Sequence, residues 1–116
     1  MLSKGLRLTQ IGSSDFLLEP LRNLDIQNQG ALLELIITKL QKLRGKRLYY
    51  DLSEQVLIDP VYYAWLNALA VALYTINVTT VCIHMQPTAA YALAQNMLVA
   101  PKFETAIDIA AWRKSS

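Results

Sequence analysis

Charge is scarce in this chain and missing from its middle. Only 17% of the 116 residues are charged, and residues 60–101 hold no Asp, Glu, Lys or Arg. Cysteine occurs once, as Cys82, which excludes an internal disulfide framework and fits a reducing compartment such as the cytoplasm. The four glycines and four prolines are scattered, which excludes collagen-like and linker-like segments. Glycines at 5, 12, 30 and 45 are also too far apart to make a phosphate-cradling loop. No long apolar run exists. The best stretch, Val61 to Ile76, is interrupted by Asn67 and three tyrosines, and is shorter than the roughly 20 residues a spanning helix needs. Met1 to Ile11 lacks the apolar core of a signal peptide. Neither membrane insertion nor export is expected.

What is present is enough for one core. The apolar fraction of 53% excludes intrinsic disorder. A chain of this length reads as a single domain over residues 1–116, burying roughly two-thirds of its unfolded surface. The net charge of +2 gives no argument for nucleic acid. The uncharged window has two readings. One is a very well-buried middle layer; the other is a protein-binding face, because interface cores lose charge and gain aromatics. Lys39, Lys42, Arg44, Lys46 and Arg47 place five cations in nine residues. They fall at the end of a predicted helix and in the loop behind it, where cations complement the helix dipole.

The hydrophobic pattern alternates between strand and helix. Leu6 to Ile11 and Phe16 to Leu18 read as strands around a Gly12–Asp15 turn, with Pro20 in a loop. Asp25 or Asn28 can cap a first helix whose apolar positions are Leu33, Ile36, Ile37, Leu40 and Leu43, with Gly45 as its stop. Leu48 to Leu52 is a compact strand. Asp59 and Pro60 mark a helix start, a capping carboxylate followed by proline at the first helical position. That second helix is expected to run to about Ile76. Its faces would be Trp65, Leu69, Ala72, Leu73 and Ile76 on one side, and Tyr63, Asn67, Ala70 and Tyr74 on another. Thr79 to Met85 is a β-branched strand. Pro87 opens a third helix to about Gln95, with Asn96 at the left-handed stop. Thr105 to Ile107 and Asp108 to Lys114 complete the pattern as a short strand and a helical turn or two. The order β-β-α-β-α-β-α-β-α predicts an α/β sandwich with a mostly parallel sheet and a possible antiparallel edge.

Catalytic patterns are weak. His84 has no carboxylate or thiol at a matching spacing. Cys82 shares its strand face, but two residues do not make a zinc site, and a thiol in an apolar strand is by default an inert core group. Asp51 and Asp59 flank one loop; the second is better explained as a helix cap and the first as a strand-end residue that orders the loop. Tyr49, Tyr50, Tyr62, Tyr63 and Tyr74 are expected to divide between core and interface, since neighbours on a strand point to opposite faces. No cofactor or metal is expected.

The run Leu48-Tyr-Tyr-Asp-Leu-Ser53, then Val56-Leu-Ile-Asp59 and an apolar helix, resembles the STAS domain of sulfate transporters and anti-sigma-factor antagonists. Thr80-Val-Cys-Ile-His-Met-Gln-Pro87 is similar to the strand and "G-I-R-P" turn of the stressosome branch, and Phe103-Glu-Thr-Ala-Ile-Asp108 to its C-terminal "V-R-T-A-L-N" run. The resemblance covers roughly Leu6 to Trp112. It implies a STAS-like sandwich of four to five mostly parallel strands with about four helices. In that family the aspartate matching Asp59 precedes a serine or threonine that a partner kinase phosphorylates, adding about −1.5 to −2 charge at a helix N-terminus. Here the position is Pro60. A second family phosphothreonine, just before the "G-I-R-P" turn, is matched by Ile83, and His84 replaces the turn glycine. The resemblance therefore implies a non-catalytic binding module without the usual phosphoswitch.

The expected contact surface is the Asp59 loop and the outer side of the second helix, with Asp59, Pro60, Tyr62, Tyr63 and Asn67. The resemblance implies that its partners are a switch kinase, an anti-sigma factor or other STAS proteins, and an exposed aromatic, charge-free face makes self-association a further expectation. A STAS subunit docked on the ATPase of a lipid transporter is a second reading. A small ligand-binding sensor is a third, and it requires a dry pocket of a few hundred Å³ near His84.

Overall fold

The structure is a computed structural model that describes residues 5–96 and 100–115. Among the described residues five strands and four helices follow the expected order: β1 (Leu6–Gln10), β2 (Asp15–Pro20), α1 (Gln29–Lys42), β3 (Arg47–Asp51), α2 (Pro60–Tyr74), β4 (Thr79–Ile83), α3 (Pro87–Asn96), β5 (Glu104–Thr105) and α4 (Ile109–Ser115). The sheet order is β1-β2-β3-β4-β5. β1 is an antiparallel edge on β2, and every other pair is parallel. Right-handed crossovers between sequential parallel neighbours put α1, α2 and α3 on the same face of the sheet.

Each strand divides its side chains between two cores. Leu48, Tyr50 and Cys82 face the helices, among Leu32, Ile36 and Leu40 of α1 and Trp65, Leu66, Leu69 and Leu73 of α2. Tyr49, Val81 and Ile83 face the other way, where Leu17, Ile109 and Trp112 cover them. The period-2 rule thus sends the two adjacent tyrosines to opposite faces, as expected, but both are fully buried, so this pair is not divided between core and interface. Fully burying each large apolar side chain is worth about 1.5–3 kcal/mol, so α2 is the main fastener of the helical layer. α4 lies on the opposite face, capped at its own start and tied to β2 near its end. Asp108 Oδ1 accepts from Ala111 N at 2.7 Å, and Arg113 Nη2 donates to Asp15 Oδ2 at 2.9 Å.

Several boundaries differ from the sequence reading, each for a local reason. β2 runs on through Pro20, expected in a loop. The parallel ladder to β3 ends at Leu18, so the missing proline N–H breaks no bond there. Asn28 holds the cap position of α1 but makes no side-chain cap bond, and Asp25 instead turns back to Gln27 N at 3.0 Å. The left-handed residue behind α1 is Arg44 (φ 56°), not Gly45. Gly45 is required for space: an added Cβ would lie 2.9 Å from Leu40 Cδ2 and 3.0 Å from the Phe16 ring. α2 stops at Tyr74, two residues early, because Asn77 turns left-handed (φ 62°) and Val78 N bonds back to Leu73 O at 2.9 Å. β4 stops at Ile83 because His84 is left-handed (φ 58°). α3 includes Asn96, and whatever turn follows falls in residues 97–99, outside the described residues. β5 is only Glu104–Thr105, and Ile107, expected inside it, stands exposed.

Candidate functional site

The C-terminal ends of β2, β3 and β4 open onto loops, and these loops build the site. Asp59 caps α2: its Oδ1 accepts from Tyr62 N at 2.8 Å, and Pro60 occupies the first helical position. Both are exposed. The preceding loop is anchored on two sides. Asp51 Oδ1 accepts from Ser53 N at 2.9 Å, Gln86 Nε2 donates to Ser53 O, and Thr88 Oγ1 donates to Val56 O at 2.6 Å. The loop is therefore tied to the start of α3 and cannot fold its apolar residues inward freely. Of the run Val56-Leu57-Ile58, only Ile58 is buried; Val56 and Leu57 are 57% and 64% exposed, and Val61 beyond Pro60 is 56% exposed.

The three other residues expected on the contact surface are placed differently. Tyr63 is buried, its ring edge-on to Phe103 at 6.1 Å, because it lies on the inward stripe with Leu66, Ala70 and Leu73. It is therefore absent from the accessible patch. Asn67 is half-buried, and its Oδ1 accepts from Lys102 N at 2.8 Å, fastening the segment before β5. Tyr62 is half-buried and bonds Tyr50 through the hydroxyls at 2.7 Å.

That last contact belongs to a relay that sequence reasoning missed. Trp65 Nε1 donates to the Tyr50 hydroxyl at 3.0 Å. Tyr50 is fully buried, so its own proton goes to Tyr62, and the Tyr62 proton is then free to point outward. Burial, first of all, raises Tyr50 above its ordinary value and pushes Tyr62 up to about 12. Both hydroxyls stay protonated near neutral pH. Burial also raises Cys82, which keeps it a thiol.

Tyr62 lines an open cleft of about 710 Å³ that runs from Leu21, Arg22 and Ile26 to Ser53, Glu54 and Gln86. The sensor reading expected a dry pocket at His84. The cleft mixes charged and apolar walls, and His84 is not among its lining residues. His84 instead stands beside it, Nδ1 3.2 Å from Asp51 Oδ1, with its backbone N bonded to Ile107 O at 3.0 Å. Cys82 is two residues back and inside the helical core. Among the described residues no group of three His, Cys, Asp or Glu side chains is placed to hold a metal. No described helix is long and apolar enough to cross a membrane. The signal that could have located the patch is the apolar run Val56–Ile58 in the short loop between Glu54 and the cap residue Asp59, of which only Ile58 is buried.

No protein-family model and no curated protein matches the chain. Solved structures do. A serine-to-glutamate variant of RsbS from Moorella thermoacetica superposes with a TM-score of 0.72 at 16% identity, over 95% of this chain and 92% of that one. The protein TM1081, determined by NMR, superposes with a TM-score of 0.75 at 11% identity, over 98% and 88%. The architecture is thus an α/β fold with a mostly parallel sheet and four helices. More particularly, it is the STAS-like fold, the fold of RsbS.

Proposed function

We propose that residues 1–116 form one STAS-like domain that works in the cytoplasm as a non-catalytic, protein-binding regulator of the anti-sigma-factor-antagonist type. The observation that carries this reading is the α2 entrance. There Val56, Leu57 and Val61 stand more than half exposed around Asp59 and Pro60, on a fold shared with a stressosome protein. Exposed apolar side chains gathered on an anchored loop gain free energy when a partner covers them. Its partner is a switch kinase or a related regulator. Proline has no hydroxyl, so phosphorylation at this helix entrance cannot eject that partner, and the module holds one binding state.

The test uses a purified switch kinase and ATP, with intact-mass analysis of the chain and of its Pro60→Ser variant. The wild type is expected to gain no phosphate and the variant to gain one. Leu57→Asp is expected to weaken kinase binding at least about tenfold, about 1.4 kcal/mol. Stoichiometric phosphate on the wild type, or unchanged binding by Leu57→Asp, refutes the reading.

A further inference from the structure

The charges of this chain are sorted between the two ends of the sheet. Each parallel crossover returns the chain to the same end, so among β2 to β5 every loop after a strand lies at one end and every loop before a strand at the other; the antiparallel β1 starts at the first end and hands over to β2 at the second. Glu19, Asp25, Asp51, Glu54, Asp59 and Asp108 fall at the end carrying the α2 entrance. Two arginines, Arg7 and Arg22, accompany them, and Arg7 is taken up by Glu19 at 3.8 Å. Lys39, Lys42, Arg44, Lys46, Arg113 and Lys114 fall at the opposite end. Asp15, an acid at that end, is already held by Arg47 at 3.6 Å and Arg113 at 2.9 Å.

The exposed apolar groups are sorted in the same way. The acidic end carries Val56, Leu57, Val61 and Ile107. The basic end carries Val71 and Tyr74, the latter 80% exposed, on the last turns of α2. α1 and α2 both run against the parallel strands, so the lysines closing α1 and Tyr74 closing α2 come out at the same end. One end is thus apolar and acidic, and the other apolar and basic. α2 separates them by about 22 Å at 1.5 Å per residue over its 15 residues. The net charge is only +2, so the whole molecule scarcely repels its own copies.

We propose that the α2-entrance patch also seats the basic end of a second copy of this chain, so that the protein associates head to tail when its regulator is absent. This inference rests on reading that patch as a docking surface and adds a second copy as an occupant that competes with the regulator. Because the two surfaces differ, the contact is heterologous: it propagates into a ring or a filament instead of closing as a two-fold pair. Charge complementarity sets the direction, and burial of Leu57 against Tyr74 and its neighbours supplies the apolar contact.

Sedimentation velocity on the full chain, across concentration and from about 0.05 to about 0.5 M NaCl, tests it. The average mass is expected to rise with concentration above the 13.1 kDa monomer and to fall as salt screens the charges. Two variants divide the ends: Glu54→Lys with Leu57→Lys blocks the acidic end, and Lys42→Ser with Lys46→Ser and Tyr74→Ser blocks the basic end. All five positions are exposed, and circular dichroism melts confirm that each variant is folded. Each alone is expected to be monomeric, and an equimolar mixture to form a heterodimer through the one intact surface on each and to go no further. A wild type that stays monomeric overturns the proposal, and so does a wild type that associates while the mixture does not. Kinase binding by the acidic-end variant is measured in parallel. Its loss beside a monomeric wild type would defeat self-association and leave the docking patch standing.

Discussion

Removing the Tyr62 hydroxyl tests whether the buried relay has the direction assigned to it. In the Tyr62→Phe variant the ring keeps its place, but the Tyr50 proton loses its acceptor. Tyr50 is fully buried and its oxygen is already engaged by Trp65 Nε1 at 3.0 Å, so water has no easy route to replace the lost partner. An orphaned buried donor costs about 1–3 kcal/mol. With a urea dependence of about 2 kcal/mol per molar for a small domain, the unfolding midpoint should drop by about 1 M for a loss in the middle of that range. Tyr50→Phe should cost a similar amount by stripping Trp65 of its acceptor. The double variant should cost little more than Tyr50→Phe alone, because Tyr62 then faces only the cleft. The coupling is therefore expected at about 1 kcal/mol or more. Alkaline pH provides a second readout. Burial holds Tyr62 near 12 in the folded state against 10.0 for a free phenol. The unfolded chain thus loses this proton first. Its contribution to stability is complete below about pH 10 and is lost as pH rises toward 12, and Tyr62→Phe should flatten that decline. A Tyr62→Phe unfolding free energy within about 0.5 kcal/mol of wild type, or strictly additive single variants, would refute the relay.

Two further substitutions probe the framework around the site. Gly45→Ala should destabilise by about 1–3 kcal/mol in thermal or urea unfolding, because its Cβ meets Leu40 and Phe16 at 3.0 Å or less; an unchanged midpoint would contradict the packing argument. Asp59→Ala should cost about 1 kcal/mol by removing the 2.8 Å cap on Tyr62 N, with Asp59→Asn recovering most of it, and equal losses for both would show that the cap bond is not the cause.

Elements governed by near neighbours in the chain were legible without coordinates. Asp59 followed by Pro60 marks a helix start because capping is settled within one turn, and the α2 boundary falls there. The strand positions of Tyr49 and Tyr50 follow from the period of the pleat, and the structure sends them to opposite cores. The helix ends were less legible. Arg44, Asn77 and His84 each take the left-handed conformation that the sequence reading reserved for Gly45 or placed elsewhere, because the tertiary paths of α1, α2 and β4 require a turn at those points. His84 carries that conformation while bonding Asp51 across the strand ends, a pairing separated by 33 residues that no local pattern announces.

The sequence by itself determined the alternation of strands and helices and the start of α2 at Asp59-Pro60, since both depend on short-range chemistry. Only the tertiary structure decided that Tyr63 turns inward to Phe103, that Asn67 fastens the segment before β5, and that Val56, Leu57 and Val61 remain outside. It also decided that acids and bases collect at opposite ends. A helix with no charge offers no sequence cue to its wet face, and the register of its packing against the sheet fixes which residues stay accessible.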